Sequence, residues 1–165
     1  MPRVYVSVGS NIDRERNIRD ALRDLREYSG NLIRSPVYET PAVGFDGDPF
    51  YNLVVAFDTT DSVDQVVQEL DRIESAHGRR RGGLPKYSAR ALDLDILMYG
   101  DLIRHDSGMD IPRGEITERD FVLGPLAEIA PALKHPETGE AFDALWKRYC
   151  QAHPQAGLTP VNFDD

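Results

Sequence analysis

The sequence predicts an α+β domain with a ferredoxin-like βαββαβ order, in which helices cover one face of a mainly antiparallel sheet. Two observations predict this class. Strand-like and helix-like periodicities alternate along residues 4–99, and turn-forming residues separate the segments. We expect the second sheet face to be available for a ligand, and a further short strand and helices to follow residue 100.

The first half of the chain predicts three strands and one helix. Residues 4–8 are a β-branched run, and the turn cluster 9–11 that ends it is also able to cap a helix. Residues 32–39 and 53–57 are predicted strands, the second starting as early as Phe50, with a loop over residues 40–49 between them. The helix is predicted from apolar residues at intervals of three and four: Ile18, Ala21, Leu22 and Leu25.

The second half predicts a helix, a loop and the fourth main strand. Ser62 and Gln65 have the spacing of a capping box. The helix that they open has a buried stripe formed by Val63, Val66, Val67, Leu70 and Ile73. Glycine and proline predict a loop over residues 78–89, followed by a strand over residues 92–99. Beyond it we expect a short strand near 102–103, a short helix around 122–130 and a terminal helix near 141–149.

Length and composition predict one domain over residues 1–153, followed by a loosely ordered tail over residues 154–165. The net charge of −9 argues against a nucleic-acid or anionic-membrane binder, so any anion site must be a local group of cations. The single Cys150 excludes an intrachain disulfide and fits a reducing compartment. The sequence has no signal-peptide pattern, and no apolar stretch approaches the ~20 residues of a membrane span. We therefore expect a cytoplasmic protein, and a monomer.

The strongest chemical signal is a pair of aspartates within the fourth predicted strand. Asp93 and Asp95 alternate with Leu92, Leu94, Ile96 and Met98, so the two carboxylates share a face, with Cα atoms roughly 6.5–7 Å apart. Carboxylates this close repel each other unless a proton or cation lies between them, and hard oxygen ligands suit Mg²⁺. A cationic group lies just upstream, at Arg79, Arg80, Arg81, Lys86 and Arg90. The combination indicates metal-assisted phosphate chemistry. The alternatives are a polar strand face and a solvated basic loop.

Ordered motifs along residues 4–146 carry a resemblance to a known family. They include Gly9-Ser10-Asn11, Tyr38-Glu39-Thr40-Pro41, Gly78-Arg79-x-Arg81, Arg90-x-Leu92-Asp93-Leu94-Asp95-Ile96, Arg119-x-Phe121 and Pro125-Leu126-x-Glu128. In this order and spacing, the chain resembles the 6-hydroxymethyl-7,8-dihydropterin pyrophosphokinase family. The resemblance implies transfer of pyrophosphate from ATP to the pterin hydroxymethyl group, with release of AMP, in folate synthesis.

The resemblance also implies a role for each matching residue. Asp93 and Asp95 would hold two Mg²⁺ ions, and Arg79 and Arg90 would complete the catalytic set by binding phosphate oxygens. The implied nucleotide contacts are Arg81, Lys86, Tyr87, Ile96, Arg113 and Arg119. The implied pterin contacts are Thr40, Pro41, Val43, Phe50, Asn52, Tyr87 and Phe121, of which Tyr87 and Phe121 would stack on the ring. Glu74 is expected to be an exposed helix-end carboxylate outside the catalytic set.

Three departures from the family pattern keep alternatives open. Lys86-Tyr87-Ser88-Ala89-Arg90 stands where the family usually has Arg-Trp-x-Pro-Arg, Pro112-Arg113 stands for Pro-His, and Phe50 stands for a frequent Tyr. The leading hypothesis is an active Mg²⁺-dependent pterin pyrophosphokinase. The others are a pyrophosphokinase for a related pterin, a non-catalytic pterin- or nucleotide-binding paralogue, and a ferredoxin-like domain that binds a partner protein.

Overall fold

The computed structural model describes residues 1–42, 46–77 and 91–165, and this part of the chain contains six strands in one sheet. The strand order is β5-β1-β4-β3-β6, with β2 also paired to β4, and every pairing is antiparallel. The elements are β1 (Arg3–Ser10), α1 (Arg14–Ser29), β2 (Ile33–Arg34), β3 (Val37–Thr40), β4 (Phe50–Asp58), α2 (Val63–Ala76), β5 (Asp93–Tyr99), a 3₁₀ helix (Gly114–Thr117), α3 (Asp120–Ile129), α4 (Phe142–Ala152) and β6 (Thr159–Val161). This arrangement confirms the predicted α+β class and its βαββαβ order, except that the single strand predicted over residues 32–39 is divided into β2 and β3.

The main core lies between the sheet and the helices α1 and α2. Alternate residues of β1 and β4 face these helices, because the antiparallel register pairs Val4 with Phe57, Val6 with Val55 and Val8 with Leu53. The helices contribute most of the residues that their periodicity predicts, among them Ile18, Leu22, Leu25, Val66, Leu70 and Ile73, which are at most 2% exposed. Val67, which was also predicted on the buried stripe, is only half-buried. The capping box of α2 is present as predicted, with Ser62 and Gln65 hydrogen-bonded reciprocally.

A second core covers part of the opposite sheet face. There α3 and α4 pack on Tyr5, Val54 and Ala56, through residues that include Leu123, Leu126, Phe142 and Leu145. The prediction that this face would be available for a ligand is therefore wrong for the part that these two helices cover.

Strand β5 contains a bulge that the sequence pattern did not predict. Tyr5 pairs with Met98 and Val6 pairs with Ile96, which leaves Leu97 as the extra residue. Leu94 and Ile96 contact the main core, whereas Leu97 and Met98 both contact the second core. The predicted alternation thus holds through Ile96, and Met98 lies on the opposite face because the bulge shifts it.

Two local predictions differ from the structure. The cluster 9–11 does not cap α1, because Ser10 is the last residue of β1 and the N-cap is Asp13. The strand expected near 102–103 is a single bridge between Arg104 and Ile111. The helices expected around 122–130 and near 141–149 are present as α3 and α4. Within the described ranges, no helix has the length and apolarity to cross a membrane.

The prediction of a loosely ordered C-terminal tail is wrong for residues 159–165. Strand β6 pairs with β3, and Phe163 is only 9% exposed, in the main core. The Phe163 ring packs edge-on against Tyr51 and lies under the guanidinium of Arg19, while Arg34 contacts Asp165. These contacts reach far back in sequence, so local composition does not reveal them.

Candidate active site

The carboxylate pair lies at the start of β5, on the sheet face opposite to α1 and α2. The register places Asp93 beside Gly9 and Asp95 beside Ser7, and both aspartates are half-buried. Leu94 between them points into the main core and is 4% exposed. The alternation predicted from sequence therefore brings both carboxylates to one face.

Glu74, in the last turn of α2, is a site residue that the sequence analysis missed. It is 2% exposed, and its Oε2 accepts a hydrogen bond from the backbone N–H of Leu94 at 3.3 Å. The expectation of an exposed helix-end carboxylate is wrong. The signal was present, because Glu74 continues the stripe of Val67 and Leu70 at helical spacing. Its carboxylate holds the strand backbone midway between the two aspartates.

A cleft opens between α2, β5 and the segment 108–113, and we call it the acidic cleft. Its lining residues are Val67, Leu70, Asp71, Glu74, Leu94, Asp95, Ile96, Gly108, Met109, Asp110 and Arg113. The structure thus brings Ile96 and Arg113, both predicted nucleotide contacts, to the same cleft as Asp95. Its apolar side chains suit a flat heterocycle, and its carboxylates suit hydroxyl donors or a metal ion.

Among the described residues that line this cleft, Arg113 is the cation, and it lies beside Asp95. Its guanidinium lies 2.9 Å from Glu115 Oε1 and 3.8 Å from Asp95 Oδ1. Partial burial opposes the charge, yet Asp95 and Glu115 together raise the pKa of Arg113. Nearby, the hydrogen bond from the Gly114 N–H, at 3.0 Å, lowers the pKa of Asp110 against the effect of burial.

A second cluster of residues, which we call the amide pocket, consists of Gly9, Thr40, Phe50 and Asn52, which are neighbours on β1, β3 and β4. Asn52 lies in β4 between Gly9 of β1 and Tyr38 of β3, and it donates from Nδ2 to Thr40 Oγ1 at 2.5 Å. A Cβ atom on Gly9 would lie 2.8 Å from Asn52 Oδ1, so only glycine leaves room for this amide. The predicted residues Thr40, Phe50 and Asn52 are therefore together, with Pro41 next in the chain.

The segment that leads into β4 is held beside this pocket. Asn11 donates from Nδ2 to the carbonyl of Asp48 at 3.0 Å. Arg14 donates to the carbonyl of Pro49 at 3.0 Å and pairs with Glu39 at 2.8 Å. Gly9 thus allows the close approach of Asn52, and Asn11 holds the segment that leads into β4. The cluster does not cap a helix.

The other predicted residues divide into two groups. Arg119 is the N-cap of α3, and Phe121 in the first turn is half-buried against the second core, so the structure records core packing for this ring. Val43, Arg79, Arg81, Lys86, Tyr87 and Arg90 lie outside the described residues. The two residues that flank the undescribed range 78–90 both contact the described part of the chain. His77 Nδ1 lies 3.2 Å from Asn17 Oδ1, and Ser10 donates a hydrogen bond to the carbonyl of Ala91 at 2.5 Å.

The donor chemistry of the aspartate pair fits Mg²⁺. Among the residues that the structure describes, no group of three His, Cys, Asp or Glu side chains is arranged to hold a metal. Two half-buried carboxylates match the usual Mg²⁺ arrangement, in which one or two protein carboxylates are completed by water and substrate phosphates. The pair therefore suits a metal that arrives with a phosphate ligand.

Fold and site together describe an α+β domain with a pair of carboxylates at the start of an edge strand. The model of the family described as 7,8-dihydro-6-hydroxymethylpterin-pyrophosphokinase (HPPK) matches residues 5–131. The 2-amino-4-hydroxy-6-hydroxymethyldihydropteridine pyrophosphokinase of Haemophilus influenzae is 34% identical over 160 residues, which cover 94% of this chain and 98% of that protein. This chain belongs to the HPPK family.

Other relatives are longer proteins. The folic acid synthesis protein fol1 of Pneumocystis carinii is 36% identical over 148 residues, and the match covers 88% of this chain but only 20% of that protein. Among solved structures, wild-type HPPK-DHPS of Plasmodium falciparum with STZ-DHP matches 93% of this chain and 42% of its own, with a TM-score of 0.71 and 15% identity. At that identity the likeness shows the fold alone.

Proposed function

We propose that this chain transfers pyrophosphate from ATP to the hydroxymethyl group of 6-hydroxymethyl-7,8-dihydropterin and releases AMP, as a step of folate synthesis. The observation that carries the proposal is the position of Asp93 and Asp95, because Asp93 lies beside Gly9 of the amide pocket and Asp95 lines the acidic cleft. A site at this junction contacts both substrates at once. Membership of the HPPK family supports the same reaction.

The reaction is a displacement at the β-phosphorus of ATP. The hydroxymethyl oxygen forms the new bond to phosphorus, the bond from that phosphorus to the α–β bridging oxygen breaks, and AMP leaves with the electron pair. Asp93 and Asp95 would hold Mg²⁺, which neutralises phosphate charge and makes the hydroxyl a better nucleophile. The proton of the hydroxyl passes to solvent.

The acidic cleft would receive the nucleotide. Its apolar residues, including Ile96, would contact the base, and Arg113 and Arg119 would contact phosphate or ribose oxygens. The remaining phosphate contacts would be Arg79, Arg81, Lys86 and Arg90, as the resemblance to the family implies. Arginine suits this task because its planar guanidinium binds phosphate in a bidentate manner and stays charged. Glu74 positions the backbone between the two metal-binding carboxylates.

The amide pocket would receive the pterin. Asn52 offers a donor and an acceptor to the amide edge of the ring, and its orientation is supported by Thr40 and by the space that Gly9 leaves. Pro41, Val43 and Phe50 would complete the pocket, and Tyr87 and Phe121 are the proposed stacking rings. Such a fixed amide favours a ligand that presents complementary groups in one plane.

The test is AMP formation from ATP and Mg²⁺, with and without 6-hydroxymethyl-7,8-dihydropterin, followed by phosphorus NMR of the products. We expect AMP and a pterin diphosphate in equal amounts, and neither product without pterin. Pterin binding without AMP would contradict the proposal and would leave a binding protein. AMP formation with another hydroxymethylpterin as the better acceptor would correct the substrate.

We also propose that the chain acts in the cytoplasm as a monomer, with ATP and the pterin as its small-molecule partners. Gly9, Asn52 and Asp95 lie on neighbouring strands of one sheet, and the proposed reaction requires no second copy of the chain. Sedimentation of the protein with and without MgATP tests the oligomeric state. A dimer at the concentration used for the activity assay would contradict the proposed monomer.

A further inference from the structure

The guanidinium of Arg113 lies between two carboxylates at the edge of the proposed metal site. It is 2.9 Å from Glu115 Oε1 and 3.8 Å from Asp95 Oδ1. Its backbone N–H donates to the carbonyl of Leu97 at 2.9 Å, so Arg113 is fixed to the strand that carries Asp95. The sheet thus fixes the backbone of Arg113 next to Asp95, and the guanidinium is able to reach this carboxylate.

A cation in this position acts against a metal ion at the same carboxylate. Arg113 reduces the negative potential at Asp95, and the side chains are only 29% and 33% exposed, so water screens the effect incompletely. Because Glu115 is a second partner, Arg113 stays close to Asp95 without a ligand. The two aspartates are therefore a weaker site for a divalent cation alone than their spacing suggests.

A nucleotide changes this balance in two ways. Phosphate oxygens offer Arg113 a planar bidentate partner, which draws its charge away from Asp95. The same phosphate oxygens supply the further ligands that two carboxylates leave open on Mg²⁺. Both effects favour the metal only when the nucleotide is present.

We propose that Arg113 makes metal binding at Asp95 depend on the nucleotide. The Arg113 cation lowers the metal affinity in the absence of nucleotide, and phosphate binding removes this effect. Metal and nucleotide therefore bind with positive coupling. By linkage, the metal raises nucleotide affinity by the same factor. The inference deepens the proposed function, on which it rests for the metal role of Asp93 and Asp95.

The test measures binding of Mn²⁺ alone to the full chain by electron paramagnetic resonance, without turnover. In R113Q we expect Mn²⁺ affinity to rise about fivefold, the ratio that a partly exposed ion pair supplies. R113K keeps the charge and should stay within about twofold of wild type. R104Q is the matched control, because Arg104 is bridged to Ile111 of the segment 108–113 but pairs with Asp106 and Asp64, away from the aspartate pair.

A second titration adds a non-hydrolysable ATP analogue. We expect the analogue to raise Mn²⁺ affinity strongly in wild type and several-fold less in R113Q. The reason is that R113Q lacks the cation that phosphate must draw away from Asp95. Equal Mn²⁺ affinity of wild type and R113Q without nucleotide, in proteins with equal melting temperatures, would overturn the proposal. An equal rise in R104Q would also overturn it, because the effect would then be one of net charge.

The variant D95N separates this inference from the proposed function. If D95N loses Mn²⁺ binding while R113Q binds as wild type does, Arg113 has no coupling role and the metal site stands. If D95N binds Mn²⁺ as wild type does, the metal role of the aspartates fails, and the Arg113 inference fails with it. Pterin-dependent AMP formation by wild type is measured separately and does not depend on either outcome.

Discussion

The amide pocket and the acidic cleft meet at the aspartate pair, but different kinds of contact hold them. Asn52 is 7% exposed and lies within a central strand, so the amide pocket is set by sheet register and by the missing side chain of Gly9. The acidic cleft is closed on one side by the segment 108–113, whose position depends on partly exposed ions such as Arg113 and Asp110. Register is insensitive to ligand and pH, whereas charge balance responds to both.

This difference predicts where the site is rigid and where it adapts. An amide held by close packing cannot reorient without moving a strand, so changes there should affect the fold and one substrate together. Ion pairs near solvent contribute little to stability, and they exchange partners readily when a charged ligand arrives. We therefore expect the pterin site to be preformed. The nucleotide site should take its final arrangement of ion pairs only when the charged ligand binds.

Among the variants that compare the two pockets, the largest effect should come from G9A, which breaks the amide pocket. The added Cβ would lie 2.8 Å from Asn52 Oδ1, so either the amide or the strand must move. We expect pterin affinity to fall about 10- to 100-fold and stability to fall by about 1–3 kcal/mol, as overpacking typically costs. Calorimetric titration with pterin and thermal melting measure the two effects.

The control for G9A is G157A, where a Cβ meets nothing within 4 Å. It should leave both pterin affinity and melting temperature close to wild type. Binding of the ATP analogue to G9A should change by less than twofold in this account. Equal losses for pterin and nucleotide would contradict the separation of the two pockets.

A smaller effect is expected from E74Q, which weakens the backbone support between the aspartates. Glutamine keeps an acceptor for the Leu94 N–H but loses the charge, which should reduce stability by about 1 kcal/mol. We expect kcat to fall about tenfold and the pterin KM to change little, because β5 moves relative to the nucleotide and not to Asn52.

The matched control for E74Q is E69Q, on the same helix. Glu69 pairs with Arg72 on the surface, three residues away, and its loss should alter neither stability nor kcat measurably. If E74Q had a lower melting temperature but an unchanged kcat, Glu74 would be a structural residue without influence on the aspartates.

The smallest effect concerns the pH dependence of the acidic cleft. His105 pairs with Glu137 at 3.0 Å and Asp110 at 2.7 Å, and these hydrogen bonds raise the pKa of His105. A raised folded-state pKa means that the stabilisation is complete below the unfolded value of about 6.5 and is lost as the pH rises through the folded value. Above that value, the ion contacts that hold Asp110 weaken.

We therefore expect the affinity for the ATP analogue to decline slightly between about pH 6 and pH 8, whereas pterin affinity should not share this component. H105Q should remove the histidine-dependent part of the decline, and H153Q, which changes an exposed histidine outside this cluster, should not. Titrations at both pH values measure it. The same decline in H105Q would show that other groups cause it.

Local patterns predicted those parts of the fold that depend on nearby residues. The shared face of Asp93 and Asp95 and the capping box of Ser62 follow from spacing alone, and both are present. Met98 and Phe163 were misplaced because a bulge and an edge strand depend on partners about 90 and 120 residues away in sequence. Glu74 was misjudged because a carboxylate is rarely buried, although helical spacing placed it on the inward stripe.

The candidate site shows the same division. Thr40 and Asn52 were predicted from a resemblance, and the register of β3 and β4 explains why they contact each other. The resemblance implied a nucleotide contact for Arg113, and the structure adds its pairing with Asp95 and Glu115. Ion pairs of this kind depend on the three-dimensional position of a segment, which spacing does not encode.

The most direct test of the central claim, that the aspartate pair joins the two pockets in one reaction, is pterin-dependent AMP release by D95N. The control is D101N, which changes an exposed aspartate in the turn after β5. We expect D95N to lose at least about a thousandfold in rate, as metal-site variants do when electrostatic stabilisation dominates catalysis, while its melting temperature and pterin affinity stay near wild type. A D95N protein that retained most of the AMP release of D101N would contradict the claim.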